Sequence, residues 1–243
     1  MLNILCPAQP LHLFSNSWSK TPMITFYELC GDDGLKFSPY CWRTKMCLIH
    51  KNIAFDTSDL SFVDIQAQFK AQFSTLPALK DGETVLSDSF NIADYLEDYY
   101  PESPSLFGGE KGRLMALFFH EWAASLHSDI AKIAIFDIYC KLKERDKDYF
   151  RSSREKHFQD SLENVQRNNQ ELAKADLLKK MRVLESYLAK TQYLSGDIPM
   201  YSDYIVYGTL KWLLSTSNAF TEEMLTSHVL KWYDSLDKIG TGN

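Results

Sequence analysis

Three short polar constellations in the first half of the chain have residue types suited to binding chemistry. The first is Ser38-Pro39-Tyr40-Cys41, which has the form of a helix start. Ser is a favoured N-cap because its hydroxyl accepts a hydrogen bond from a free backbone N–H, and Pro suits the first helical position. A hydroxyl at this place can also donate to a thiolate held by a ligand, which lowers the pKa of that thiol. Taken alone, the motif is explained as simply by helix capping.

A redox role is a further alternative for the same motif. Dithiol redox proteins have a CxxC motif at such a helix start, where the helix N-terminus stabilises a thiolate. In this sequence the first position is Ser38, so disulfide exchange by a dithiol is impaired, although Cys41 is available. Cys41 lies about one turn into the helix, away from the free N–H groups, which makes this the weakest alternative.

The other two constellations lie at predicted element ends. Leu76-Pro77 precedes a strand; a cis bond there would expose the preceding backbone to an extended peptide ligand, whereas cis occurs in only about 5–6% of X–Pro bonds. Ser87-Asp88-Ser89 begins a helix, whose N-terminus binds anions. The Ser89 hydroxyl can donate to a ligand carboxylate and the Asp88 carboxylate can bind an ammonium, a pair that fits the head of an amino acid. Capping is again the alternative.

The elements that position these residues alternate between strand and helix from Met23 to Tyr100. The pattern predicts strands at 24–29 and 54–60, helices at 38–51 and 63–73, a hairpin at 76–86 and a helix at 88–99. The hairpin is indicated by Asp81-Gly82 between short apolar runs. The order β-α-β-α-β-β-α predicts a small mixed sheet with helices packed on it.

The rest of the chain divides at a segment rich in Pro and Gly. We predict a loosely ordered N-terminal extension over residues 1–22, an α/β domain over 23–102, a linker over 103–112 and an all-helical domain over 113–243. Leu114, Phe118, Trp122 and Leu126 repeat at i+4 and predict an apolar stripe on the first helix of that domain. The charged run 141–180 predicts a solvated face.

Composition excludes several function classes. The 243 residues are 45% hydrophobic and 24% charged, which is ordinary for a globular protein. The net charge of −6 argues against a nucleic-acid binder and against a polybasic membrane anchor. No apolar run is long enough to span a membrane. The five cysteines have irregular spacings, which indicates reduced thiols in the cytoplasm. We expect Cys47 and Cys140 to be core residues, and no metal site, since His120 and His127 are seven residues apart.

The three constellations, in this order and in one β-α-β-α-β-β-α unit, resemble the glutathione S-transferases. The resemblance covers about 23–236 and implies an α+β protein, with a thioredoxin-like domain containing a mixed four-stranded sheet followed by an all-α domain. It implies glutathione as cosubstrate, detoxification of xenobiotics and a homodimer. It implies that Ser38 is the catalytic, thiol-activating serine, that Leu76 and a cis Pro77 hold the cysteinyl part of glutathione, and that Asp88 and Ser89 hold its γ-glutamyl end.

The second half supports this resemblance. The stretch Leu194–Trp212 looks like the late helical motif of the family, in which Ser or Thr usually stands three residues before Asp203. Met200 stands there in this sequence, so we expect a weaker cap or one supplied by another group.

A finer resemblance is carried by Phe37–Arg43 and by Tyr149–Glu155, which look like segments of β-etherase-like transferases of lignin-degrading bacteria and wood-decay fungi. It implies aromatic, often phenolic, substrates and cleavage of an ether bond by glutathione. We expect the hydrophobic substrate between the two domains, against Tyr40 and the helix that bears Phe119, Trp122 and Ala123.

Three alternatives stay open. The protein could be a non-catalytic, glutathione-dependent binder of phenolic or hydrophobic molecules, or a deglutathionylating redox enzyme that uses Cys41. Separately, Arg151 and Arg154 could bridge subunits instead of forming part of a solvated face.

Overall fold

The computed structural model describes residues 24–242, so the predicted extension over residues 1–22 lies outside the described residues. The first part of the chain contains β1 (Ile24–Leu29), α1 (Pro39–His50), β2 (Phe55–Leu60), α2 (Phe62–Asp64), β3 (Ala78–Asp81), β4 (Thr84–Ser87) and α3 (Ser89–Tyr99). The second part contains α4 (Glu110–Cys140), α5 (Glu144–Phe158), α6 (Leu162–Leu188), α7 (Tyr201–Thr216) and α8 (Ser227–Thr241). One turn of π-helix, Ile65–Phe69, continues α2.

The strands form one mixed sheet in the order β2-β1-β3-β4. β1 pairs with β2 in parallel, from Ile24 opposite Phe55 to Leu29 opposite Leu60. β3 is antiparallel to both β1 and β4, as a hairpin requires. The prediction of a mixed four-stranded sheet followed by a helical half is therefore confirmed.

The two halves meet where α1 packs against α7. Gly208 of α7 permits this approach, because a Cβ at that position would lie 2.4 Å from the carbonyl oxygen of Pro39. Pro39 is the first residue of α1, so the contact fixes the start of α1 against the helical half.

The start of α7 lacks a side-chain cap at Met200, as the sequence predicts. The buried carboxylate of Asp203 serves instead, accepting from the backbone N–H of Met200 at 3.1 Å. It also accepts from Leu194 N–H and from Trp232 Nε1, both at 2.8 Å, which ties α7 to the preceding loop and to α8. The cap is thus supplied by another group, at the third helical position.

The predicted apolar stripe on α4 is buried only in its later part. Leu126 is fully buried, whereas Leu114 and Phe118 are 60% and 62% exposed. The helix has 31 residues and so is about 46 Å long, and its first turns extend past the core. The expectation for Cys140 is wrong, because this last residue of α4 is exposed, whereas Cys47 is buried as expected.

The connection between α3 and α4 covers residues 100–109 and not the predicted 103–112, since residues 110–112 form the first turn of α4. The glycines there meet local geometric needs. Gly109 precedes the helix with a φ of 100°, and a Cβ on Gly112 would lie 1.7 Å from the carbonyl oxygen of Phe107. Glycine at these two positions therefore serves a tight turn into the helix rather than a flexible tether.

Candidate active site

A cavity of about 840 Å³ lies between the sheet half and the helical half. Its size falls within the usual range of about 300–1,000 Å³ for small-molecule sites. The sheet half contributes the start of α1, the α2 region and the segment before β3. The helical half contributes faces of α4, α5 and α7. The residues that line it include Leu29, Phe37, Ser38, Pro39, Tyr40, Phe62, Ile65, Gln66, Ser74, Thr75 and Leu76, and on the helical side His127, Ser128, Ala131, Ile135, Ile138, Tyr149, Phe150, Ser153, Arg154, His157, Phe158 and Trp212.

Ser38 lines this cavity as the N-cap of α1. Its Oγ accepts a hydrogen bond from the backbone N–H of Cys41 at 3.3 Å. A serine hydroxyl has one proton and two lone pairs, so capping leaves its proton available for donation. The capping and thiol-activating interpretations are therefore compatible, and the partial positive charge of the helix N-terminus favours an anion beside Ser38.

Cys41 occupies a different environment, although it is only three residues away. Its side chain is buried and its Sγ accepts from the backbone N–H of Leu29 at 3.4 Å. Burial raises the pKa of the Cys41 thiol to about 12, and this effect outweighs the opposing influences of the neighbouring Ser38 side chain and of the hydrogen bond from Leu29 N–H. Cys41 is thus a thiol at neutral pH and is absent from the cavity lining.

The Leu76–Pro77 peptide bond is cis, as the family resemblance implies. Leu76 lines the cavity just before β3 begins at Ala78. Among residues 24–242, neither the N–H nor the C=O of Leu76 has a hydrogen-bond partner. This backbone is therefore available to an extended ligand that lies along the cavity.

Asp88 and Ser89 lie at the start of α3 and are not part of the cavity lining. Asp88 is exposed, and its Oδ1 accepts from the backbone N–H groups of Phe90 and Asn91 at 2.9 and 3.0 Å. Its φ of 78° lies in the left-handed region, which is uncommon for a residue other than glycine and is frequently found at binding sites. The Ser89 hydroxyl is buried near that of Tyr201, but within residues 24–242 it makes no hydrogen bond of good geometry.

The cavity does not reach Phe119, Trp122 or Ala123, whereas it does reach Tyr40. Phe119 and Ala123 are packed in the core. The row of α4 that contains Phe119 and Ala123 enters the cavity about one to three turns later, at His127, Ala131 and Ile135, all spaced at i+4. This row lies beside the predicted stripe 114–118–122–126, and only the packing of the halves decides which turns of it are covered.

A buried polar network behind Tyr40 was not foreseen from the sequence. Arg43 is fully buried; its guanidinium lies 4.5 Å from the centre of the Tyr40 ring and donates from NH2 to Thr209 Oγ1 at 3.4 Å. His127 joins the two, with Nε2 at 3.3 Å from Thr209 Oγ1 and Nδ1 at 3.4 Å from the Tyr40 hydroxyl. Burial, reinforced by the charges of Arg43 and His120, lowers the pKa of His127 to about 4. His127 is therefore neutral at physiological pH.

The α5 wall of the cavity carries a cation, Arg154. Arg154 lines the cavity and donates to Ser153 Oγ at 3.1 Å, and its guanidinium lies 5.1 Å from the centre of the Phe150 ring. Within residues 24–242 it forms no ion pair. Arg151, one turn earlier, pairs with Glu155 at 2.7 Å and with Glu163 at 2.8 Å. Both ion pairs of the Arg151 guanidinium are therefore formed within one chain.

Residues 24–242 contain neither a metal-binding cluster nor a membrane-spanning helix. No group of three or more His, Cys, Asp or Glu side chains in this range is arranged to hold a metal ion. No helix in the same range combines the length and apolarity that crossing a membrane requires.

Both halves of the chain match domains of a known protein family. The N-terminal domain of the glutathione S-transferases matches residues 34–104, and the C-terminal domain of the same family matches residues 114–238. Glutathione S-transferase Z1 of Arabidopsis thaliana is 36% identical over 88 residues, which are 31% of this chain and 39% of that protein. The chain thus aligns with about two fifths of the length of this curated relative.

Solved structures with the same fold include fungal and bacterial transferases. GSTFuA3 of Phanerochaete chrysosporium has a TM-score of 0.78 at 25% identity, covering 91% of this chain and 97% of its own. A glutathione S-transferase of Ceriporiopsis subvermispora, solved with glutathione, has a TM-score of 0.78 at 23% identity, with coverage of 90% and 97%. The β-etherase LigF of Sphingobium sp. strain SYK-6 has a TM-score of 0.67 at 17% identity, with coverage of 91% and 100%. The chain therefore belongs to the glutathione S-transferase family, as its sequence motifs predict.

Proposed function

We propose that this protein is a glutathione transferase in which Ser38 activates the glutathione thiol. The observation that carries the proposal is the state of the Ser38 hydroxyl. It caps α1 as an acceptor, lines the cavity and keeps its proton for donation. A hydrogen bond from this proton to the glutathione sulfur stabilises the thiolate and so lowers the pKa of the thiol.

The rest of glutathione is proposed to bind just before β3 and at the start of α3. The backbone of Leu76, which has no partner among the described residues, lies beside the cis Pro77 and offers one N–H and one C=O to the cysteinyl part. At the start of α3 the Ser89 N–H and hydroxyl are donors for the γ-glutamyl carboxylate, and the exposed carboxylate of Asp88 is a partner for the ammonium group. Two oppositely charged groups of the ligand are thus matched by neighbouring residues.

The reaction needs no covalent change in the protein. The glutathione thiol loses its proton to solvent, and the thiolate sulfur then attacks the electrophilic carbon of the second substrate. A carbon–sulfur bond forms and the leaving group departs with the electron pair of the broken bond. For an aryl ether the leaving group is a phenolate. Ser38 stabilises the nucleophile and the cavity orients the two reactants.

The second substrate is proposed to be hydrophobic and aromatic. Rings and aliphatic side chains make up much of the cavity wall, among them Phe62, Tyr149, Phe150 and Trp212. The fold shared with LigF supports testing an ether as well as ordinary electrophiles. An apolar pocket discriminates weakly among such molecules, so a panel of substrates is the appropriate experiment.

The function is tested by assaying the protein with glutathione and three acceptors: 1-chloro-2,4-dinitrobenzene, benzyl isothiocyanate and a β-aryl ether that releases a fluorescent phenol. Formation of the glutathione conjugate in any of the three supports transferase activity, and phenol release supports the etherase reaction. Failure to bind glutathione in calorimetry would overturn the proposal as a whole.

A binding protein is the second candidate, favoured by the size of the cavity and its apolar walls. In that case glutathione and hydrophobic ligands bind together but no conjugate forms with any acceptor. The redox candidate is not supported, because the only cysteine of the Ser38–Cys41 motif is buried and its pKa is about 12. The four cysteines of the described residues are unpaired, which supports a reducing cytoplasm as the site of activity.

A homodimer is proposed on the exposed apolar side chains at the start of α4. Leu114, Met115, Leu117 and Phe118 are all more than two fifths exposed, and Tyr99 at the end of α3 is 69% exposed. The Arg113–Asp94 ion pair joins the same two helices. Such a patch commonly marks a protein interface. Sedimentation velocity should give a dimer for the natural chain and a monomer for a Leu114→Lys, Phe118→Lys variant; a monomeric natural chain would contradict the proposal.

A further inference from the structure

The polar network behind Tyr40 fixes the direction of a hydrogen bond at the cavity wall. It begins at Arg43, a side chain that has donors but no acceptor. Its NH2 group donates to Thr209 Oγ1, and the Thr209 hydroxyl lies 3.1 Å from the carbonyl oxygen of Ile205. A carbonyl oxygen only accepts, so this contact uses the single proton of the Thr209 hydroxyl.

The proton of Thr209 in turn sets the tautomer of His127. Once Thr209 donates to Ile205, the oxygen that faces His127 Nε2 at 3.3 Å can only accept. His127 Nε2 therefore carries the ring proton. The ring is neutral, because burial and the charge of Arg43 lower its pKa to about 4. A neutral imidazole protonated on Nε2 has an acceptor at Nδ1.

The Tyr40 hydroxyl lies 3.4 Å from that Nδ1 and must donate to it. Its proton is then directed into the protein, and its oxygen lone pairs are left for the cavity. We propose that Tyr40 is a specificity residue that accepts a hydrogen bond from the second substrate and so selects aromatic molecules carrying a phenolic O–H over the corresponding methyl ethers. This inference rests on the proposed function, since it takes the cavity as the site of the second substrate.

The direction of this hydrogen bond matters because tyrosine can act in either sense. In most settings a tyrosine hydroxyl rotates to suit its ligand. Here the proton of the Tyr40 hydroxyl is used in the hydrogen bond to His127, whose tautomer is set by Thr209 and Arg43. The Arg43 guanidinium is stacked on the Tyr40 ring and helps to hold this ring in place. A ligand oxygen without a proton finds no donor at Tyr40.

The first test measures binding of 4-phenylphenol and 4-methoxybiphenyl by calorimetry, in the presence of glutathione. A neutral hydrogen bond is worth about 0.5–1.5 kcal/mol. Tyr40→Phe should therefore weaken the binding of 4-phenylphenol by about 2- to 12-fold and the binding of 4-methoxybiphenyl by less than about twofold. Tyr149→Phe is the matched control, because Tyr149 also lines the cavity, and it should leave the ratio of the two affinities unchanged. Equal losses for both ligands in Tyr40→Phe, or a loss for the ether alone, would overturn the inference.

The second test needs no substitution in the measured protein. Nitrogen NMR of histidine-labelled protein at neutral pH should show His127 with its proton on Nε2, the signal being assigned with a His127→Gln variant. A proton on Nδ1 would reverse the hydrogen bond to Tyr40 and overturn the inference. Either negative result leaves glutathione binding intact, so it is distinguishable from failure of the proposed function.

Discussion

The two walls of the cavity carry their chemistry in different ways. On the sheet side the polar groups lie at the ends of elements, as with Ser38 before α1 and Leu76 before β3. They act through backbone groups, caps and helix N-termini, all of which are local features. On the helical side the polar groups lie within helices, as with His127 and Arg154, and the state of His127 depends on residues distant in the chain. Polar groups that are positioned by local structure therefore lie across the cavity from His127, whose state is set by the packing of distant parts of the chain.

This difference predicts how each wall responds to substitution. A motif at an element end keeps its geometry as long as the element forms. A side chain in a helix interior changes its partners whenever a neighbouring helix shifts. We therefore expect substitutions of element-end residues such as Ser38 to alter the reaction itself, and substitutions of helix-interior residues such as His127 and Arg154 to alter selectivity and stability.

The largest effect is expected for Ser38→Ala. A hydrogen bond to a charged group is worth about 1.5–3 kcal/mol, so kcat/KM for 1-chloro-2,4-dinitrobenzene should fall by about 10- to 150-fold. The pH at which the rate is half-maximal should rise, because the glutathione thiolate loses a donor. Ser74→Ala, which removes another hydroxyl from the same wall, is the control. Undiminished turnover in Ser38→Ala would show that the sheet wall does not activate the thiol.

The next effect concerns stability and His127. The folded pKa of about 4 lies below the ordinary 6.5, so in this window the unfolded chain binds more protons and acid destabilises the fold. The contribution is present above pH 6.5 and is lost as pH falls toward 4, which amounts to about 2 kcal/mol between pH 7 and 5. Arg43 and Tyr40 of α1, Thr209 and Trp212 of α7 and His120 of α4 face this ring.

Urea unfolding at pH 7 and pH 5 measures this contribution. The loss of free energy of unfolding on acidification should be smaller by about 2 kcal/mol in His127→Gln than in the natural chain. His157→Gln changes another histidine of the cavity wall and serves as the control. An unchanged pH dependence in His127→Gln would mean that the helical wall does not hold this histidine neutral.

A smaller effect is expected for Arg154→Met. Arg154 faces the cavity and has no carboxylate partner in the part of the chain that the structure describes, so it should favour acceptors that carry a negative charge. An exposed charge pair is worth about 1 kcal/mol or less, so KM for 4-chloro-3-nitrobenzoate should rise up to about fivefold. KM for the neutral 1-chloro-2,4-dinitrobenzene should stay within about twofold. Lys156→Met, a neighbour on α5 outside the cavity lining, tests for a general loss of positive charge.

The smallest effect is expected for Cys41→Ala, which sharpens the contrast with Ser38 within a single motif. The buried thiol has a pKa of about 12 and does not line the cavity, so turnover should change by less than about twofold. Mass spectrometry after incubation with oxidised glutathione should find no mixed disulfide on Cys41 in the natural protein. A Cys41 adduct, together with loss of activity in the variant, would restore the redox interpretation.

The sequence by itself determined the sheet wall. Ser-Pro at 38–39 and Asp-Ser at 88–89 indicate helix starts, and Asp-Gly at 81–82 indicates a hairpin, because capping and turn formation involve residues only a few positions apart. The order of these signals was enough to identify the fold and the family. The departure at Met200 was also visible in the sequence, although the compensating bonds of Asp203 to Leu194 and Trp232 were not.

Only the tertiary structure decided the helical wall. The apolar repeat on α4 predicts a buried stripe, yet its first turns are exposed, and the cavity opens on the neighbouring row at His127 and beyond. The network Arg43–Thr209–His127–Tyr40 joins residues up to 166 positions apart. No periodicity or spacing encodes such a contact, because it depends on how closely α7 approaches α1 at Gly208. Local rules therefore fix where the thiol-activating hydroxyl lies, and long-range packing against the helical wall fixes what Tyr40 can recognise.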